Sequence, residues 1–156
     1  MFTSLFRTFS NSSARRFNHG CIILFRGKKI VEAWNQEGIF DHAEMRAIKK
    51  LHDVLHQPRK IKRCKLYVAR FSPNGTCGLS LPCNFCRNAI KAAGIKRVYY
   101  SSNSDEIKRL TKDDPSFVTS GHRRKPDPFF DLKYKIIIRN ISLKSGASTK
   151  YFEWST

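Results

Sequence analysis

Cys83 and Cys86 stand two residues apart and can offer two thiolates to one metal ion. His42, far upstream, can supply a third ligand. Three protein ligands of this kind leave a tetrahedral zinc with one open position, the layout of a catalytic site rather than a closed structural one. Glu44 follows the histidine by two residues and can reach a water at that position without being a ligand itself. Zinc lowers the pKa of such a water toward neutrality, and a carboxylate beside it can take the proton and deliver it elsewhere. The competing arrangement is a closed site of Cys64, Cys77, Cys83 and Cys86. Its spacings are irregular for a structural zinc site, and it leaves His42 and Glu44 without a purpose.

The elements that must position these residues follow from hydrophobic periodicity and turn chemistry. Asp41 is placed to cap a helix, with Glu44 three residues on as in a capping box, and Met45, Ile48, Leu51 and Leu55 mark the buried face. A second helix over Cys83–Ala93 begins at the thiols and stops at Gly94. Upstream, Cys21–Phe25 and Ile30–Trp34 read as a hairpin turned by Arg26–Lys29, its first strand apolar throughout and so buried on both faces. Leu66–Ala69 and Ile95–Tyr100 are further strands, and Tyr134–Ile141 is expected to be the last. Residues 58–65 read as a basic connection, 71–80 as a loop and 105–110 as a short helix. Residues 2–13 have Phe2, Leu5, Phe6 and Phe9 near helical spacing. Strands alternating with helices indicate an α/β sandwich. The 156 residues fit one domain, 1–156, with a core over about 18–104.

Composition narrows the partners. Thirty Lys and Arg against 12 Asp and Glu give a net charge of +18, which repels itself unless an anion shares the surface. Nucleic acid or nucleotide phosphates are the expected partners. An odd number of cysteines, five, excludes a fully paired disulfide framework and suits a reducing intracellular compartment, cytoplasmic or nuclear. No apolar run approaches membrane-spanning length. Residues 1–16 carry Ser and Arg and no acid, as mitochondrial presequences do, but a first helix covering the sheet is the preferred reading. His52 and His56 lie one helical turn apart and are expected on a solvated face, and Cys21 in the core. Self-association into a homo-oligomer is compatible with the sequence.

His42-Ala43-Glu44, Pro82-Cys83-x-x-Cys86 and the following Gly94–Tyr100 resemble the cytidine and deoxycytidylate deaminase superfamily of zinc-dependent nucleobase deaminases. That superfamily also holds the tRNA adenosine deaminases and the DNA- and RNA-editing cytosine deaminases. The resemblance covers roughly residues 18–104. It implies a three-layer α/β/α sandwich around a five-stranded mixed sheet, with the two motifs opening adjacent helices. It implies Zn2+ as cofactor, His42, Cys83 and Cys86 as ligands, and Glu44 as the proton shuttle. It further implies that Asn35 meets the nucleoside and that the backbone amide of Ala43 holds the base. The chain departs from the pattern in the long approach over Phe71–Ser80, in the distance of the last strand from the fourth, and in lacking a second set of metal ligands.

The expected activity is hydrolytic conversion of cytosine to uracil in a nucleotide or nucleoside. The alternatives are deamination of cytosine or adenine within single-stranded DNA or RNA, and a non-catalytic basic module that binds nucleic acid around a structural zinc. Arg70, Arg87, Arg97 and Arg123-Arg124-Lys125 are the cations expected at the pocket rim. Tyr99 and Tyr100, at the end of the fourth strand, are candidates to stack on a base, against the plainer reading of Tyr99 as a core residue at a strand end and Tyr100 as its exposed partner.

Overall fold

The computed structural model describes residues 18–36, 42–73, 76–104, 106–116 and 128–145. The chain opens with a hairpin of β1 (Asn18–Phe25) and β2 (Lys28–Trp34). Its two turn residues, Arg26 and Gly27, both have positive φ, 50° and 79°, the geometry whose twist matches that of the strands it joins. Residues Gly20–Ile23 are buried whichever way they point, so β1 is interior, as its unbroken apolar run predicts. Then follow α1 (Ala43–Val54), a single turn α2 (Pro58–Ile61), β3 (Lys65–Phe71), β4 (Cys77–Gly78), α3 (Asn84–Ala92), β5 (Arg97–Ser101), β6 (Ile107–Arg109) and α4 (Pro128–Ser145).

Among the described residues six strands form one mixed sheet in the order β2-β1-β3-β5-β6, with β4 paired to the far end of β3. β3 runs antiparallel to β1 and parallel to β5. A parallel neighbour requires a crossover, and crossovers of this kind are right-handed. α1 carries the chain from β2 past β1 to β3, and α3 carries it from β3 to β5. Both steps go the same way along the sheet, so both helices fall on one face and start from one end of it. Met45, Ile48 and Leu51 of α1 and Cys86, Ala89 and Ile90 of α3 join Cys21, Ile23, Leu66, Val68 and Val98 in one core. Full burial of each large aliphatic side chain there contributes roughly 1.5–3 kcal/mol. The opposite face carries a smaller cluster of Ile22, Trp34, Ala69 and Phe71.

Several expectations are corrected. The stretch 134–141 is not a strand but the middle of α4. Its run of β-branched isoleucines favours a strand locally, yet Ile138, Ile141 and Ser142 are buried at helical spacing, and α4 packs on α1 and α3. Residues 107–109, expected in a helix, form β6 antiparallel to β5. Among the described residues the sheet therefore has six strands rather than five, because short β6 adds an edge beside β5 and short β4 pairs with the end of β3. α1 begins at Ala43 with His42 at its N-cap and no side-chain capping bond, so no capping box forms with Glu44. His52 is 7% exposed, buried rather than solvated. Asp41, residues 2–13 and residues 123–125 lie outside the described residues.

α3 ends as its sequence predicts. Gly94 has φ +83°, the Gly94 amide donates to the Lys91 carbonyl, and the Ile95 amide reaches back to Ile90 while its side chain is buried. A Cβ at Gly94 would meet only Lys62 Cγ, at 3.9 Å, so the obstacle to another residue is the backbone angle and not space. Gly94→Ala is expected to lower stability by about 1 kcal/mol in denaturant unfolding, with zinc content unchanged.

Candidate metal centre and active site

The common starting end of α1 and α3 is where the chemistry converges. His42 is the N-cap residue of α1 and Cys83 that of α3, with Cys86 one turn further on. His42 Nδ1 lies 3.4 Å from Cys86 Sγ and 3.7 Å from Cys83 Sγ. All three donor atoms fall within 4.8 Å of one another. A tetrahedral zinc, with Zn–N of about 2.0 Å and Zn–S of about 2.3 Å, holds nitrogen and sulfur about 3.5 Å apart. The spacing and the donor set therefore fit this ion. Both thiols are buried. The hydrogen bond from Cys86 pulls the Cys83 thiol down to about 4, with help from His42. The same bond, with burial, pushes Cys86 up. The pair thus shares one negative charge out of water, and a cation between them favours the second thiolate as well.

Glu44 is 6% exposed, in the first turn of α1, with its carboxylate hydrogen-bonded to Cys86. Burial raises its pKa, His42 opposes the rise, and Cys83 adds to it. Beside it on β1, the fully buried thiol of Cys21 packs into the core, as expected. His19 is pushed down to about 4, first by burial and then by Arg70 and His42, so it stands uncharged next to the cluster.

The approach to Cys83 is held by bonds that sequence reading missed. Ser80 donates its hydroxyl to the Val68 carbonyl and accepts from the Ser101 amide, at 2.7 and 2.8 Å. Ser101 in turn donates to the Gly78 carbonyl and accepts from the Arg70 amide. Both serines are buried, so each bond ties residues 78–80 to the ends of β3 and β5 without competition from water. Arg87, on the outer side of α3, donates to the carbonyls of Pro82, Asp114 and Pro115. Tyr100 donates its hydroxyl to Asp114 at 2.7 Å. No local pattern signals these partners, which are separated by up to 31 residues in the chain.

The remaining candidates divide. Ala43 is fully buried at the start of α1, between the proposed ligand and shuttle. The Asn35 side-chain oxygen accepts from the His19 amide and the Asn35 amide donates to the His19 carbonyl, which fixes its carboxamide at the strand end. Tyr100 points to the same face as the cluster, where its hydroxyl engages Asp114. Tyr99 must point the other way. It stacks on Tyr67 at a centroid distance of 4.8 Å, on the face away from the cluster, and does not reach the site. Arg97 is also removed, since it donates to the Arg63 carbonyl at the opposite end of the sheet. Arg70 stays close, lining a cavity of about 200 Å3 with Ser72, Thr76, Cys77, Gly78 and Asn103. Cys64 bonds to the Lys60 carbonyl, and among the described residues the only grouping able to hold a metal ion is His42, Cys83 and Cys86. The four-cysteine site is thereby set aside. No helix among the described residues is long and apolar enough to cross a membrane.

Residues 3–102 match the family model described as the cytidine and deoxycytidylate deaminase zinc-binding region. No curated protein matches the chain in sequence. Among solved structures, a cytidine deaminase from Burkholderia pseudomallei superposes with a TM-score of 0.53 at 16% identity, covering 71% of this chain and 91% of that one. A guanine deaminase from Bacillus subtilis aligns at 25% identity with a TM-score of 0.41, covering 74% of this chain and 78% of that one. The first likeness bears on the fold alone: the mixed sheet and its helices are similar to those of that cytidine deaminase. With the family model spanning most of the chain, and a histidine and two cysteines able to hold a metal ion gathered inside the matched region, the chain belongs to the cytidine and deoxycytidylate deaminase family.

Proposed function

We propose that the chain is a hydrolytic deaminase that replaces the exocyclic amino group of cytosine by oxygen, in a nucleotide or nucleoside. The observation that carries this reading is the buried carboxylate of Glu44 against a cluster of three ligands, not four. In this reading His42, Cys83 and Cys86 bind zinc, which supplies when bound a Lewis acid that makes water nucleophilic at neutral pH. Glu44 takes the proton of the attacking water and passes it to the ring nitrogen. It then takes the second proton and delivers it to the amino group that leaves as ammonia. Water and cytosine are consumed, uracil and ammonia are formed, and Glu44 ends as it began. Its place in the first turn of α1 keeps the carboxylate within reach of both water and base. The backbone amide of Ala43 and the carboxamide of Asn35 are the proposed contacts to the base and sugar. Tyr100 is assigned to the wall, acting through Asp114 rather than by stacking.

A second reading, in which the base lies within single-stranded nucleic acid, is favoured by the net charge of +18. Equal amounts of deoxycytidylate, cytidylate, cytidine and a cytosine-containing single strand, offered to zinc-loaded protein, distinguish the two. Uracil formed only in the small molecules supports the first, and uracil formed only in the strand replaces it with the second. Glu44→Ala is expected to keep zinc and fold while losing about a hundredfold to ten-thousandfold in turnover. Undiminished turnover in that variant would remove Glu44 from the mechanism. Cys86→Ala is expected to lose zinc in metal analysis and to melt at a lower temperature. Full zinc content would refute the ligand set.

A further inference from the structure

The end of the sheet opposite the cluster has chemistry that deamination does not use. There Arg26, Arg63, Lys65 and Arg97 line a cleft of about 280 Å3, floored by Leu24 and Gly27. None of the four cations has a carboxylate partner among the described residues. Arg26 is steadied over the Phe25 ring, 5.4 Å from its centroid, and Arg97 by its bond to the Arg63 carbonyl, so two of the four are partly preorganised. Along β1, His19 beside the cluster and Leu24 in the cleft are five residues apart, roughly 17 Å. The cleft is therefore a separate place, beyond contact with a base held at Glu44.

Strand register shows what adjoins it. Leu24, Lys65 and Arg97 pair across β1, β3 and β5 as one row on the face away from the metal cluster. The next row on that face holds Ile22, Tyr67, Tyr99 and Arg109. Lys65 and Tyr67, and likewise Arg97 and Tyr99, are two residues apart and so about 7 Å from one another on a common face. Tyr99 is half-buried and Arg109 exposed, so the row is in part open to a ligand. Cations that neutralise phosphates beside aromatic rings that take bases are the two components of single-strand binding, and a duplex hides the base faces such rings need. Like charges this close repel one another in the unbound protein, and a polyanion relieves that.

We propose that this cleft and the adjoining tyrosine row bind the sugar-phosphate backbone and a base of single-stranded nucleic acid, at a site separate from the catalytic centre. The phosphates sit among Arg26, Arg63, Lys65 and Arg97, and a base stacks at Tyr99. The site holds a strand whether or not that strand is the substrate, so the proposal does not rest on the reading of the deamination reaction.

The test is fluorescence anisotropy with the full zinc-loaded chain and a labelled 20-nucleotide oligothymidylate, whose bases carry no exocyclic amino group to be removed. The double variant Arg26→Glu/Arg63→Glu is expected to weaken binding at least tenfold and to reduce the slope of log affinity against log salt by about one to two. Tyr99→Ala is expected to weaken it about fivefold or more, and to lower the preference for a single strand over a duplex of equal length. Lys49→Glu/Lys91→Glu, on exposed positions of α1 and α3, serves as the control and should change affinity less than twofold. Zinc content and melting temperature verify that each variant is folded. Equal losses in the control and the cleft variant would overturn the site in favour of diffuse charge. Tyr99→Ala binding as the parent does would remove the stacking row. Displacement of the oligomer by thymidylate or inorganic phosphate at matched phosphate concentration would make the cleft a pocket for free phosphate instead of a strand track.

Discussion

Three donor atoms, one from the start of α1 and two from the start of α3, must meet at one buried point. The constraint is met by topology. Two crossovers of the same hand, taken in the same direction along the sheet, deliver the starts of α1 and α3 to the same end, and the packing of Met45, Ile48, Ala89 and Ile90 on the sheet fixes their separation. His42 and Cys83 then need no long side chain to approach each other, because both are N-cap residues. A core that sets helix spacing also sets ligand spacing, so the centre inherits the rigidity of the best-packed part of the molecule.

His42 gives up an ordinary role to take part. A cap residue normally bonds to the free amides of the first turn, yet here no side-chain cap bond forms and the ring nitrogen turns to the thiols. Glu44 is the acidic residue of that turn, and favourable charge at a helix start partly offsets its burial. The local rules of helix initiation are thus broken at one position where they conflict with ligand geometry, as is common at functional sites.

The two cysteines of the grouping able to hold a metal ion and the main strands were legible because each depends on neighbours in the chain. Cys83 and Cys86 are a helical turn apart, β1 is apolar throughout, and Gly94 stops a helix at the position where the backbone turns left-handed. What could not be read depends on distant partners. The face on which Tyr99 lies follows from its pairing with Tyr67, and a one-residue shift would reverse it. The isoleucines at 136–138 look like a strand until α1 and α3 supply a groove for Ile138 and Ile141. β4 and β6 are too short to leave a pattern, and they exist because β3 and β5 offer them edges. Arg87, read as a cation for the pocket rim, turns out to donate to three carbonyls, which no charge count could anticipate.

The serine pair at the end of β3 and β5 has a mechanical meaning. Ser80 and Ser101 are buried and bond to each other, to the Val68 carbonyl and to the Gly78 carbonyl. On the far side of Cys83, Arg87 braces Pro82 against residues 114 and 115. The wall that carries the two cysteines is therefore stiff in both directions. Any compliance the site has when a substrate enters must come from a different wall, and selectivity among substrates then depends on how far that other wall can yield.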